Sequence, residues 1–362
     1  MKVAVVGAGV NGFCSAIKLA ESGCSVSIFD KSKAFSETSS KSSRMFHGGI
    51  RYLEQGHFKL VHEALVERKE WLDFAPEATE IKRFFIPIFK NQSRSRLVLF
   101  FGVKIYQWLA GVMSLGNSFY HAKVQTLKEL PELKSEDLLG SVSYMDVVFD
   151  NEKVSKLLID KLLSKNASLH ENLPIKKISK SGVILLEDDT EKKFDAIVNA
   201  TGPWIDVLLK QSSIESKYEL DLVRGSHLII DYRFSNAMVF QVKEEKRIIF
   251  MIPIGDKSLL GTTEVLQKNP EEAFCSEAEV DYLLNTANHF LKKPVSRELV
   301  IESFAGLRPI IKRKGSNDFS KASRDAQIEV TGKVINVFGG KWTSAMSLAE
   351  KVYGKLNIMV KG

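Results

Sequence analysis

Met1 to Asp30 constrain this chain more than any other stretch. Lys2-Val-Ala-Val-Val6 is a short, mostly β-branched apolar run ended by glycine, the pattern of a strand buried on both faces. Gly7-Ala-Gly-Val-Asn-Gly12 follows, and Phe13 to Ser22 then carries Phe13, Ala16, Ile17 and Ala20 at helical spacing. A second strand, Ser25 to Phe29, ends at Asp30. This succession of strand, glycine turn, helix, strand and acid is that of a dinucleotide site. Gly7 allows the tight turn, Gly9 lets the backbone approach a pyrophosphate, and Gly12 lets the helix pack on its strand. The free N–H groups and the dipole at the helix start favour phosphate charge. Asp30 can accept hydrogen bonds from ribose hydroxyls.

With 362 residues the chain can bury a large core, as two domains or as one with a large insertion. Its 44% hydrophobic and 26% charged residues place it among soluble globular proteins. A net charge of +7 suits an anionic substrate or an anionic membrane surface, and without a nucleic-acid motif it makes no case for nucleic acid. Cys14, Cys24 and Cys275 lack metal-ligand spacing and read as buried thiols, so no metal is expected. The N-terminal strand starts the fold at once, so no signal peptide is expected, and no apolar run of about eighteen residues is present to span a membrane. The expected compartment is the cytoplasm.

After Asp30 comes the hydroxyl-rich loop Ser36-Glu-Thr-Ser-Ser-Lys-Ser-Ser43, which runs into His47-Gly48-Gly49-Ile-Arg51-Tyr52-Leu-Glu54. A flexible linker rarely ends in a titratable ring, two positions of close backbone approach and a fixed cation, so this stretch reads as part of a site. Phe58 to Phe74 reads as an amphipathic helix and Phe84 to Phe89 as a strand. Arg94 to Met113 mixes aromatic and aliphatic residues with Arg94, Arg96 and Lys104. Two readings of it stay open: a helix lying on the inner face of a membrane, and a helix packed on its own domain. Phe194-Asp-Ala-Ile-Val-Asn-Ala-Thr-Gly202 is a second buried strand ended by a glycine turn, which returns the chain to the first sheet. Residues 217–300 are dominated by strands, with a hairpin across Gly255-Asp256 and a helix from Glu277 to Leu291. Val334-Ile-Asn-Val-Phe338, Gly339-Gly340 and Lys341-Trp342-Thr343 close the pattern as strand, glycine pair and helix start, with a dipole that could face the electron-rich end of a flavin.

The expected fold is therefore α/β plus α+β: a Rossmann-like cofactor domain assembled from discontinuous segments (1–80, 143–212 and 301–362), an FAD-binding domain by the resemblance that follows, with a β-sheet-rich substrate domain (81–142 and 213–300). The motifs together resemble the FAD-dependent glycerol-3-phosphate dehydrogenases and oxidases, within the D-amino-acid-oxidase-like flavoenzymes. The resemblance runs in order through Gly7-Ala-Gly-x-x-Gly12, Thr38-Ser-Ser-x-Ser-Ser43, His47-Gly-Gly-x-Arg-Tyr-Leu-Glu54, Asn199-Ala-Thr-Gly-Pro-Trp204, Gly225-Ser-His227, Gly261-Thr-Thr-Glu264, Gly306-Leu-Arg-Pro309, Ser323-Arg-Asp325 and Phe338-Gly-Gly-Lys-Trp-Thr343. It implies oxidation of the C2 hydroxyl of an sn-glycerol-3-phosphate-like substrate to a ketone, with the hydride going to flavin N5 and the electrons on to quinone or oxygen. Carried over by motif, Arg308 binds the substrate phosphate with help from Arg51 and Lys341. His47, or in second place His227, takes the hydroxyl proton, and Tyr52 and Thr343 line the site. The cofactor positions implied are Gly7, Gly9, Val10, Asn11, Gly12, Asp30 and Lys31, then Thr38, Ser39, Ser40, Ser42, Ser43, His47 and Gly48. Later in the chain they are Ala200, Thr201, Gly202, Trp204, Gly306, Arg308, Gly339, Gly340, Lys341, Trp342 and Thr343.

Some positions depart from the family pattern. Arg44 replaces a usual lysine, Ser344-Ala-Met346 replaces a threonine, tyrosine and arginine common in the dehydrogenases, and the C-terminal helical domain common there does not follow. Two other readings remain. An oxidase of a 2-hydroxy acid or an amino acid would hold a carboxylate on Arg308 and Arg51, whereas a dianionic phosphate favours three converging cations. A non-catalytic flavin-binding redox sensor would show no substrate-dependent flavin reduction. A nicotinamide-dependent enzyme gives the serine loop and the glycine-glycine-lysine ending no task.

Overall fold

The computed structural model describes residues 1–90, 92, 94–242, 245, 247–314 and 326–361, and the Ser323-Arg-Asp325 motif lies outside them. The N-terminal pattern folds into strand β1 (Lys2–Val6), helix α1 (Val10–Glu21) and strand β2 (Ser25–Phe29). α1 begins directly after Gly9, so Val10 to Gly12 already belong to its first turn. β1 lies between two parallel partners, with Val3 opposite Val26 on one side and Ala196 on the other. That position explains an apolar run without alternation, since both faces are covered by protein.

The strand Ala196–Asn199 pairs in parallel with Val334–Phe338, and Ser168–His170 pairs in parallel with β2. Gln327–Thr331 closes one edge in the antiparallel sense, which makes a six-stranded sheet from well-separated stretches of sequence. One face packs against α1 and the helices Asn151–Leu163 and Ala345–Lys361, through Phe13, Leu19, Leu158 and Val352. The other face packs Val6, Ile197 and Phe338 against Ile184, Ile205 and Leu208.

A second, ten-stranded sheet is mixed. Thr79–Phe89 runs antiparallel to Leu138–Phe149 and joins Ala237–Val242 in parallel at Phe84. The strand is longer than the apolar run Phe84–Phe89 because its polar half, through Glu80, Lys82 and Arg83, is held by backbone pairing to Asp146 and its neighbours. Arg247–Ile254 and Lys257–Gly261 form the hairpin expected across Gly255-Asp256. Tyr218–Ile230 pairs with Val300–Arg313 along its length, with Gly225 opposite Gly306 and Val223 opposite Arg308. Helix Glu277–Asn288 covers one face through Leu283 against Leu228 and Phe240. Helices α2 (Phe58–Phe74) and α3 (Arg96–Ala110) cover the other through Leu65 and Val103 against Phe84 and Ile252.

The C-terminal ends of the parallel strands, at Gly7, Asp30, Ala200 and Gly339, open towards the Gly225–His227 and Gly306–Arg308 rungs of the second sheet. Ligand crevices of doubly wound sheets lie at those strand ends.

Candidate active site

A cavity of about 1820 Å³ runs between the two sheets, lined by Asp30 and Lys31 as well as by Arg51, Arg308 and Lys341. Small-molecule sites measure roughly 300–1,000 Å³, so this one has room for a dinucleotide and a small substrate together. Gly7 has φ +106°, and a Cβ there would stand 2.5 Å from the Ala200 carbonyl oxygen. At Gly12 a Cβ would meet the Gly7 carbonyl oxygen at 1.9 Å, so this glycine supports the turn from beneath rather than facing the cavity. α1 has neither a side-chain N-cap nor an acid in its first turn, which leaves its positive end available to an anion.

The surroundings of that helix start fit a flavin dinucleotide. Asn11 donates from Nδ2 to the Gly339 carbonyl (3.0 Å), while its Oδ1 is buried without a protein partner. Val10 N–H donates to Ser39 Oγ (3.0 Å), and the Trp342 indole donates to the Ser39 carbonyl (2.8 Å), joining the serine loop to the C-terminal glycine motif. Asp30 accepts from the Ala8 and Ser32 N–H groups at 2.6 and 2.8 Å. Burial pushes its carboxyl above the usual range, and the same two bonds oppose that shift. Each oxygen keeps a lone pair for a ribose hydroxyl. Lys31 turns to Glu271, whose Oε1 also accepts from Trp204 Nε1 at 2.5 Å.

The serine loop divides its tasks. Thr38, Ser39, Ser42 and Ser43 line the cavity, as do Thr201 and Gly202, whereas Ser40 donates to the carbonyls of Ser36 and Glu37 within its own turn. Ser43 Oγ lies 2.9 Å from His227 Nε2.

The opposite end is cationic. Arg308 projects from the middle of Val300–Arg313, where Thr262 Oγ1 accepts from its Nη2 (3.1 Å) and the Thr263 carbonyl from its Nη1 (3.4 Å). Arg51, on the 3-10 turn Ile50–Gln55, and Arg308 each approach Glu264 Oε1 at 3.9 Å. Lys341 donates to Tyr52 Oη at 3.0 Å. The structure thus brings Arg51, Tyr52, Arg308 and Lys341 together with both histidines, although these residues are far apart in sequence. Thr343 lines the same space and accepts the Trp71 indole N–H on its carbonyl (3.0 Å).

Both histidines are held neutral. Burial, then the nearby charges of Lys341 and Arg68, lower His47 to about 4. Burial, then Arg308 and Arg44, lower His227 to about 3. His47 Nδ1 accepts from Gly49 N–H (3.0 Å), so its ring proton sits on Nε2. His227 stacks on Phe304 with ring centroids 5.2 Å apart.

Gly48 faces away from the cavity, and its N–H donates to Tyr106 Oη (2.7 Å). Tyr106 donates to Asp146 Oδ2 (2.9 Å), and Arg68 donates to Asp146 Oδ1 (3.0 Å), with both charged side chains only 2% exposed. Motif reading misses Tyr106, Asp146, Arg68, Glu271 and Glu264 as parts of the site. Only Glu264 had a local signal, the Gly261-Thr-Thr-Glu264 run, and no task came with it.

A family profile described as DAO, FAD dependent oxidoreductase, matches residues 2–352. The D-erythritol 1-phosphate dehydrogenase of Brucella abortus is 33% identical over 365 residues, covering 96% of this chain and 72% of that protein. The glycerol-3-phosphate dehydrogenase of Pseudomonas tolaasii is 32% identical over 372 residues, covering 98% and 71%. Among solved structures, the glycerol-3-phosphate dehydrogenase of Bacillus halodurans complexed with FAD superposes with a TM-score of 0.76 at 22% identity, a likeness of fold. It spans 100% of this chain, which in turn spans 65% of that one.

Proposed function

This chain belongs to the DAO family of FAD-dependent oxidoreductases, and on that premise we propose that it oxidises the secondary hydroxyl of a phosphorylated polyol to a ketone. FAD is its cofactor. sn-Glycerol 3-phosphate, giving dihydroxyacetone phosphate, is the first substrate to try, and erythritol 1-phosphate the second. The observation that carries the reading is the convergence of Arg51, Arg308 and Lys341 on a cavity that also holds His47 and His227. Three cations suit a dianionic phosphate better than a single carboxylate, and guanidinium forks match its oxygens. When bound, FAD supplies the acceptor for the hydride leaving the carbinol carbon, with quinone or oxygen taking the electrons afterwards.

The residues of the chain do the rest. Arg308, clamped by Thr262 and Thr263, fixes the phosphate with Arg51 and Lys341 and so orients the carbinol. A neutral histidine takes the hydroxyl proton as the ketone forms. For His47 this means that its one lone pair, held by Gly49 N–H, passes to the substrate hydroxyl. His227 is the second candidate. Adding sn-glycerol 3-phosphate to the FAD-loaded protein without oxygen is expected to bleach the flavin band within seconds, and admitting air then tests oxygen as acceptor. Bleaching by 2-hydroxy acids or amino acids alone would refute the phosphate reading.

We further propose that the protein docks on an anionic lipid surface through α3. By length and composition Arg96–Met113 is apolar enough to cross a membrane, which the reading of the sequence did not expect, but α3 buries Leu99, Val103, Tyr106 and Ala110 against the second sheet, and that burial favours a helix lying along the molecule. Its other face carries a second apolar stripe: Leu97, Phe101, Trp108 and, just beyond its end, Val112 are 61%, 60%, 77% and 102% exposed. Arg96 stands at the start of this stripe and Lys104 within its length. An exposed Trp on a helix that also carries Arg96 and Lys104 suits a lipid headgroup layer. Phe101→Ser/Trp108→Ser should lower co-sedimentation with phosphatidylglycerol vesicles by about tenfold or more, since each large side chain buries roughly 1.5–3 kcal/mol of apolar surface. Undiminished sedimentation would remove α3 as the contact.

A further inference from the structure

Among the described residues, Glu264 is the acid set between Arg51 and Arg308 at the substrate end. Its Oε1 is 3.9 Å from Nη1 of Arg51 and 3.9 Å from Nη1 of Arg308, too far for a hydrogen bond to either and close enough to share their field. The loop that carries it is fixed from behind. Thr263 Oγ1 accepts from Ser226 N–H (2.9 Å) and donates to Glu279 Oε1 (2.7 Å), an acid that also pairs with Arg224 at 2.8 Å. Burial raises the Glu279 carboxyl, but the hydrogen bonds from Thr263, Ser276 and Ser226 outweigh it and hold the group down to about 2, so this anchor stays charged. The side chain of Glu264 lines the cavity and is 43% exposed within it.

From this placement we propose that Glu264 is an internal competitor for the substrate's phosphate and thereby sets how tightly substrate and product are held. The inference rests on the phosphorylated-polyol reading above. The phosphate enters a field already partly compensated by a carboxylate whose backbone is held in place, because the neighbouring Thr263 is tied to the second sheet and to helix Glu277–Asn288. Alcohol and ketone carry the same phosphate, so every interaction with it holds both alike. Uniform binding of this kind lowers KM without speeding the chemical step. A carboxylate between the arginines weakens that uniform hold and speeds product departure, while the forks still orient the anion.

The test is Glu264→Gln in the FAD-loaded protein, titrated with inorganic phosphate and followed by the flavin spectrum, alongside KM for sn-glycerol 3-phosphate. Loss of the repulsion should tighten phosphate binding and lower KM by about tenfold, with the difference shrinking as salt rises. Thermal melting of both proteins checks that the half-exposed substitution leaves the fold intact. Phosphate binding that is unchanged or weaker in the variant overturns the competitor role and makes Glu264 a residue that orders the arginines or holds a substrate hydroxyl. If phosphate perturbs neither protein while acetate perturbs both, the phosphorylated-substrate reading itself fails.

Discussion

Arg308→Ala is expected to raise the apparent KM for sn-glycerol 3-phosphate by about a hundredfold, equivalent to roughly 3 kcal/mol, while the protein keeps its FAD. The size follows from what is removed: a charge-assisted fork aimed into a cavity, whose hydrogen bonds to the protein go to uncharged oxygens, Thr262 Oγ1 and the Thr263 carbonyl, while the Glu264 carboxylate stays 3.9 Å away. Arg51 and Lys341 remain, so binding weakens without vanishing. The fold should survive, because Val300–Arg313 is held to Tyr218–Ile230 by backbone pairing through Val223 opposite Arg308. Arg308→Lys should recover only part of the loss, since an ammonium has no fork. Anaerobic flavin reduction over a range of substrate concentrations separates affinity from the rate of reduction. An unchanged half-saturation point would take Arg308 out of the phosphate site.

What could be read from the sequence was what lies close together along it. β1, the glycine turn, α1 and β2 are contiguous, and each glycine answers a steric demand visible within a few residues, as at Gly7 and Gly12. α2 ends where its apolar spacing ends. The return of Ala196–Asn199 and Val334–Phe338 to the first sheet was legible because buried parallel strands ended by glycine are rare patterns. Most residues nominated by motifs line one cavity, but Gly12, Ser40 and Gly48 do not, because local packing and turn hydrogen bonds claim them.

The rest depends on register. Nothing near Thr79 announces that its polar half pairs with Leu138–Phe149, since backbone bonds are indifferent to side chains. Nothing near Glu264 says that Arg51 and Arg308 will flank it, because the three come from a turn, a loop and a strand. Asp146 sits in the run Ser141 to Phe149 of near-continuous burial, where a lone acid reads as a defect until Arg68 and Tyr106 arrive from α2 and α3. The composition of 94–113 indicates one basic amphipathic helix, yet α3 has two apolar faces, and only packing tells the buried one from the exposed one.

The second large effect is expected at that buried pair. Asp146→Ala should destabilise the FAD-loaded protein by about 3–5 kcal/mol, because it leaves the Arg68 guanidinium in the interior with no counter-charge. Arg68 has no cheap escape: its Nη2 already donates to the Met113 carbonyl at 3.2 Å, and its side chain is 2% exposed. The loss would spread to the site. Without the Asp146 acceptor Tyr106 is no longer oriented, and the Gly48 N–H that bonds Tyr106 Oη belongs to the turn next to His47. Tyr106→Phe isolates that second step. It keeps the ring among Tyr144 and Val103 but removes the acceptor of Gly48 N–H, and should cost about 1–3 kcal/mol. The double replacement Arg68→Met/Asp146→Leu removes both charges at similar volume, and such swaps are often neutral. Most of the stability lost in Asp146→Ala should therefore return. Urea unfolding of the three variants, each saturated with FAD, decides the matter. A double variant no more stable than Asp146→Ala would mean that packing or the Gly48 turn, rather than the uncompensated charge, dominates the loss.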